Sequence, residues 1–292
     1  MTRVVYVNGQ YTPYPEAAIH VEDRGFQFAD GVYEVCEVLD GQLVDERRHL
    51  ERLSRSLSEL SMDEPMDHRS LGVVMRETVR RNRVRNGIVY VQVTRGVARR
   101  DFAFPKAGTM PSVVCFARPL VRAKGEAKAK TGVAVITVPD IRWKRVDIKT
   151  TGLLAQSMAR QKALDAGAYE AWMVGDDGIV TEGGSCNAWI VTADGTLQTH
   201  AADGRILKGI TREVAMEAAA SLQLRFVEKA FTVEAAKAAK EAFQTSASGL
   251  VMPVISIDGV KIGDGKPGPV ASRLREMYHR VAEISRPDRL LT

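Results

Sequence analysis

The sequence predicts an α+β protein of mixed α/β character, organised as two domains. Three observations carry this. At 292 residues the chain exceeds what one hydrophobic core usually organises. Short strand signals alternate with helical periodicities along its whole length. Many of the strands are joined by tight two-residue turns, which excludes a doubly wound parallel sheet. With 45% hydrophobic and 26% charged residues the composition is that of an ordinary globular protein, and its core needs neither disulfides nor a structural metal.

The first strand, Val4-Val-Tyr-Val, enters a turn at Asn8-Gly9, and a second over 32–39 turns at Asp40-Gly41. Leu50, Leu53, Leu57 and Leu60 form the stripe of an amphipathic helix over 46–61. A second helix covers 67–82 and ends in Arg80 and Arg81, where cations complement the negative end of the dipole. Strands follow at 88–94 and 112–117. Residues 118–130 turn to Pro, Ala, Gly and Lys without apolar periodicity, which reads as a linker between an N-terminal domain, 1–117, and a C-terminal domain, 131–292. That second domain reads as a strand at 132–138, a helix at 153–166, and strands broken at Gly175-Asp-Asp-Gly and Asp194-Gly195. Helices at 210–222 and 232–240, strands over 241–257 turning at Asp258-Gly259, and a helix near 268–284 complete it.

The formal charge of +5 comes from two local clusters, Arg80 to Arg85 and Arg118 to Lys130, the first of which is explained by a solvated helix exit. Neither cluster is interleaved with aromatics, so no nucleic acid is expected as a partner, and a basic nucleic-acid-binding protein is kept only as the contrasting class. No apolar run approaches the roughly 20 residues that span a bilayer, so no membrane is expected either. The start shows no signal peptide. Cys36, Cys115 and Cys186 are odd in number and widely spaced, and the histidines are scattered. The expectation is a cytoplasmic protein with no metal site. Phosphate-loop, zinc-protease, nucleophile-elbow and dinucleotide motifs are all missing.

Polar side chains concentrate at element boundaries in Asp23-Arg-Gly-Phe-Gln-Phe-Ala-Asp-Gly-Val-Tyr-Glu-Val, Asp140-Ile-Arg-Trp-Lys-Arg-Val-Asp-Ile-Lys-Thr-Thr-Gly, Val180-Thr-Glu-Gly-Gly-Ser-Cys-Asn-Ala-Trp and Leu207-Lys-Gly-Ile-Thr-Arg. Lys149, flanked by Ile148 and a coming helix, is a candidate for a desolvated, nucleophilic amine, though Lys144 competes on chemistry alone. Glu182 ends a strand and reads equally well as an exposed carboxylate. Thr211 opens a helix, either as its cap or as part of an anion site built on the free N–H groups. Arg52 lies beside the leucine stripe and reads equally well as a surface arginine lying over the core edge. Tyr33 begins a β-branched run as an ordinary strand tyrosine, and Arg100 sits in a loop after a strand.

In this order and spacing, from about residue 4 to 284, the segments resemble the pyridoxal-phosphate enzymes of fold type IV, most closely the D-amino-acid aminotransferases. The resemblance implies a smaller N-terminal α/β domain and a larger C-terminal one whose sheet forms a pseudo-barrel and which carries the cofactor lysine. It implies pyridoxal 5'-phosphate as cofactor, held in a Schiff base by Lys149 with Glu182 at the pyridine nitrogen. Arg52, Ile210, Thr211 and the Ser246-Ala247 turn are implied at the phosphate, with Ser185 and Leu207 also implied as cofactor-binding. The substrates implied are a D-amino acid donor and a 2-oxo acid acceptor, in a homodimer whose partner subunit lends an arginine, here Arg100, to hold the substrate carboxylate together with Tyr33. The family commonly has a histidine two residues after that arginine; this chain has Phe102. The departure leaves two readings: a D-amino-acid enzyme with shifted specificity, or an (R)-selective amine transaminase. A branched-chain L-amino-acid aminotransferase and an aminodeoxychorismate lyase are lower alternatives.

Overall fold

The computed structural model describes residues 3–285 and divides the chain into two units with separate cores. The first comprises the chain up to Val121, Ile148–Gly152 and the segment from Glu283. The second comprises Arg122–Asp147 and Leu153–Ala282.

In the first unit, β1 (Val4–Val7) and β2 (Gln10–Pro13) form a hairpin, followed by a short helix α1 (Arg24–Phe28). Then come β3 (Gly31–Leu39), β4 (Gln42–Leu43), α2 (Glu46–Glu59), α3 (His68–Arg81), β5 (Gly87–Thr94) and β6 (Ser112–Pro119). The strands make one antiparallel sheet in the order β2-β1-β6-β5-β3-β4. Asn8 and Gly9 have φ of 46° and 94°, and Asp40 and Gly41 have 48° and 84°. These left-handed pairs are what a two-residue hairpin with the native twist requires. Leu50, Leu53 and Leu57 of α2 are buried against Val32, Cys36 and Val38 of β3, and each contributes about 1.5–3 kcal/mol of transfer free energy.

The second unit contains α4 (Arg122–Thr131), β7 (Val133–Pro139), α5 (Leu154–Asp165), β8 (Glu170–Val174), β9 (Val180–Gly183), β10 (Asn187–Val191) and β11 (Leu197–Thr199). After α6 (Ile210–Ser221) come β12 (Phe226–Glu228), α7 (Val233–Lys237), β13 (Glu241–Ser246), β14 (Leu250–Ile257), β15 (Val260–Lys261) and α8 (Pro269–Val281). Its sheet runs β12-β11-β10-β13-β14-β7-β8-β9, with β15 beside β14. The sheet curls: the Gly183 N–H donates to the Cys186 carbonyl at 2.7 Å, bringing the last strand back to β10. A side chain at Gly183 would run into the Cys186 sulfur, which would have to move to admit it. This curled half-barrel agrees with the pseudo-barrel sheet that the resemblance implied.

The domain bounds differ from those the sequence suggests. Most of the stretch read as a linker is the helix α4, which buries only Ala129 and therefore shows no apolar stripe. Lys149 belongs with the first unit. Tyr33 N–H donates to the Lys149 carbonyl and Thr151 N–H to the Gly31 carbonyl, both at 3.0 Å, and Ile148 is buried in the first core. The segment after α8 also joins that unit, since Asp45 N–H donates to the Glu283 carbonyl at 2.6 Å. Residues 1–2 and 286–292, included in the expected domains, lie outside the described residues.

Arg80 and Arg81 both pair with Glu77, whose carboxyl their hydrogen bonds hold down at about 2, as a helix-exit cluster should. Among the described residues no helix is long and apolar enough to cross a membrane, and no cluster of metal-ligating side chains occurs. Cys36, Cys115 and Cys186 are free and buried. Burial pushes the Cys115 thiol up to about 12 and the other two well above their usual value, which makes them packing residues.

Candidate active site

In the first unit the backbone of 148–152 docks beside the start of β3, with Val32 and Thr150 forming a bridge. The Lys149 N–H lies 3.4 Å from Ser56 Oγ on α2. This fixes where the side chain starts: Lys149 is half-buried, with Nζ 4.4 Å from the centre of the Tyr33 ring, whereas Lys144 is exposed. Tyr33 is the first of three stacked rings on the β3 face opposite the leucines. Tyr90 lies 5.3 Å from it and Phe116 a further 4.8 Å on. Lys149 is therefore the better placed of the two candidate amines, beside a rigid aromatic face.

Arg52 is mostly buried. Its Nε and Nη2 donate to the two oxygens of Glu34, at 2.7 and 2.8 Å, and His49 Nδ1 lies 2.7 Å from the same carboxylate. Burial alone would raise the Glu34 pKa, but the Arg52 and His49 charges and hydrogen bonds hold it well below the usual carboxylate range. Arg52 is thus an oriented cation rather than a surface arginine.

Arg100 and Phe102 lie on the loop between β5 and β6. The guanidinium of Arg100 caps the rings of Phe28, at 5.2 Å, and Phe102, at 5.8 Å, and Phe102 is 82% exposed. Arg24 anchors the loop: it donates to the Asp101 and Ala103 carbonyls and, with Arg95, shares Asp30.

In the second unit Glu182 is buried at the end of β9. Arg142 donates to its Oε1, Asn187 Nδ2 to its Oε2 at 2.9 Å, and the Leu207 N–H lies 3.1 and 3.2 Å from the two oxygens. Asn187 also donates to the Leu207 carbonyl at 2.9 Å, so one amide ties β10, Glu182 and the segment before α6 together. Gly209 is the N-cap of α6, and no side chain caps this helix. Thr211 is therefore not the cap. It is buried in the first turn beside Ile210, where helix N–H groups and a hydroxyl suit an anion.

Ser185 donates to Glu170 at 2.9 Å and so is tied to a buried carboxylate. Ser246 and Ala247 form the tight turn between β13 and β14, where Ser246 Oγ accepts from the Gly249 N–H at 3.1 Å. The structure thus gathers Tyr33, Arg52 and Lys149 in one unit, and Glu182, Leu207, Ile210 and Thr211 in the other. Glu34, His49, Asn187 and Arg142 were missed in the sequence. For Glu34 a signal existed: in Val32-Tyr-Glu-Val-Cys-Glu-Val it falls on the apolar side of the alternation, where a carboxylate demands a partner.

Residues 31–257 match the family described as Amino-transferase class IV. The chain is 39% identical to a D-alanine aminotransferase of Staphylococcus haemolyticus, over 97% of this chain and 99% of that one. It is 40% identical to the D-alanine aminotransferase of Bacillus licheniformis, over 93% and 94%. Among solved structures, the branched-chain aminotransferase of the thermophilic archaeon Thermoproteus uzoniensis, with norvaline, superposes with a TM-score of 0.83 at 29% identity, covering 96% of this chain and 94% of that one. A half-buried lysine on an aromatic face and a buried, hydrogen-bonded glutamate stand within that common framework, and this chain belongs to the class IV aminotransferases.

Proposed function

We propose that the enzyme moves the amino group of a D-amino acid, such as D-alanine, to a 2-oxo acid such as 2-oxoglutarate or pyruvate, using pyridoxal 5'-phosphate. The observation that carries this reading is the near full-length likeness, at 39–40% identity, to relatives named D-alanine aminotransferases. The residues present suit the cofactor: an amine beside an aromatic face, a buried carboxylate for a ring nitrogen, and an uncapped helix start with an oriented arginine for a phosphate. When bound, that group supplies an electrophilic carbon and a ring that accepts the electrons left as a Cα–H bond breaks.

Lys149 would hold the cofactor through its side-chain amine and, when that amine is free, would take the proton from the substrate Cα and deliver it to the cofactor's C4′. Glu182 keeps a proton on the ring nitrogen, and its donors Asn187 and Leu207 fix its aim. Arg52 and the N–H groups of Ile210 and Thr211 hold the phosphate with the Ser246-Ala247 turn, while Ser185 and Leu207 border the ring. Tyr33 flanks the amine, and Arg100 takes the substrate carboxylate in a two-pronged contact. Donor and acceptor share this machinery, which gives ping-pong kinetics.

The proposal includes a homodimer in the cytoplasm. Phe102 and Met110, on the segment between β5 and β6 that carries Arg100, are each more than 75% exposed, an apolar surface suited to a partner subunit. An (R)-selective amine transaminase is the second reading, favoured by Phe102 where a carboxylate donor would otherwise stand. Single-turnover absorbance of the loaded enzyme with D-alanine, D-glutamate, L-leucine and (R)-1-phenylethylamine decides: fastest conversion by D-alanine or D-glutamate supports the first reading, and by the amine the second. Conversion by L-leucine alone defeats both.

A further inference from the structure

The segment from Asp140 to Lys149 contains an arginine with no part in the cycle above. The Arg142 side chain is 4% exposed, and a buried guanidinium is costly unless its donors and its charge are met. Its Nε and Nη2 fork onto Asp140 at 2.9 and 2.7 Å, its Nη1 donates to Glu182 Oε1, and its Nη2 lies 3.4 Å from the Thr181 hydroxyl. Thr181 Oγ1 lies 2.7 Å from Asp140 Oδ2 and 3.1 Å from the Met173 carbonyl, so the assembly is pinned to β9 and β8. Burial disfavours the Arg142 charge, but Asp140 and Glu182 more than offset it, so the group stays cationic.

We propose that Arg142 is a positioning residue that acts through Glu182, dividing one positive charge between Asp140 and Glu182 and thereby setting how tightly a proton is held on the cofactor's ring nitrogen. This rests on the reading of Glu182 as the partner of that nitrogen. A cation beside Glu182 draws negative charge off the carboxylate and opposes a second positive charge on the nitrogen. Asp140 acts in the opposite sense, because it competes for the guanidinium. Also around Glu182 are Asn187 and the Leu207 N–H, which are neutral donors, the Cys186 thiol, kept neutral by burial and by Glu170 and Glu182, and the Glu170 carboxylate itself.

The test uses enzyme loaded with pyridoxal 5'-phosphate labelled with nitrogen-15 in the ring, whose chemical shift is followed against pH. Arg142→Met is expected to raise the pH at which the nitrogen loses its proton by about one unit or more, and Asp140→Asn to lower it. A purely structural role predicts reduced thermal stability in both without these opposite movements. Should Arg142→Met fail to fold, Asp140→Asn decides alone by whether the midpoint falls. Unchanged midpoints, or movement in one common direction, overturn the proposal provided Glu182→Gln does alter the signal. If Glu182→Gln leaves it unaltered, the assignment of Glu182 to the nitrogen is what fails.

Discussion

Glu34 accepts both prongs of the Arg52 guanidinium, at 2.7 and 2.8 Å, from a strand position whose neighbours on the same face, Val32, Cys36 and Val38, are core residues. A carboxylate facing the core is tolerable only because Arg52 and His49 satisfy it. Removing its charge with Glu34→Gln strands the buried cation. The expected loss is about 3–5 kcal/mol of unfolding free energy in urea titrations; a loss below about 1 kcal/mol would show the pair to be dispensable.

The same carboxylate gives the fold an acid limit. Its folded pKa is depressed, so its contribution is fully present above the unfolded value, roughly 4.3, and disappears as pH falls through the folded one. Urea midpoints should therefore hold steady from neutral pH down to about 5 and drop steeply below about 4. In Glu34→Gln the drop should be shallower, and parallel curves for the two proteins would assign the acid sensitivity elsewhere.

Gly209 is required by its neighbour rather than by its backbone angles. A Cβ there would stand 2.0 Å from Asn187 Oδ1, so Gly209→Ala must displace the amide that supports Glu182 and Leu207. The expected cost is about 1–3 kcal/mol, with faster loss of pyridoxal phosphate on dialysis. Adding Asn187→Ala should cost less than the sum of the two single changes, because the clash is then relieved. Full additivity, measured by thermal melts, would break the link.

Elements whose cause is local were legible in the sequence. Asn8-Gly9 and Asp40-Gly41 announce hairpins because few other pairs accept two left-handed residues. Leu50, Leu53 and Leu57 announce α2 because one face alone is buried. The helix α4 was hidden for the converse reason: with only Ala129 buried, it has no stripe to read. Lys149 was legible as a residue but not as part of the first unit, since the backbone bonds of Lys149 to Tyr33 and of Thr151 to Gly31 join segments more than a hundred residues apart. The contact of Arg142 with Glu182 joins segments forty residues apart and has the same non-local origin. Of the two readings of Thr211, the cap of α6 falls away because Gly209 occupies that position.

Lys149 anchors its segment through backbone groups, so truncating the side chain should spare the fold while removing the reaction. Lys149→Ala is expected to lose the absorbance band of the lysine-linked cofactor and at least about a thousandfold in turnover of D-alanine, with an unchanged melting profile before loading. Normal turnover in this variant would transfer the role to another amine, Lys144 first.

Phe102 stands where the resemblance calls for a histidine, and its ring packs 5.8 Å from Phe28 beside the Arg100 guanidinium. An imidazole there would add a donor for a substrate carboxylate without displacing Arg100. One charge-assisted hydrogen bond is worth about 1.5–3 kcal/mol, roughly tenfold or more in binding. Phe102→His should therefore lower the KM for D-alanine by about tenfold while leaving its kcat little changed. Conversion of (R)-1-phenylethylamine, which has no carboxylate to receive the bond, should be unchanged or slower. An equal gain for both substrates would mean that residue 102 alters general access, and the carboxylate site would then have to be sought away from the Arg100 loop.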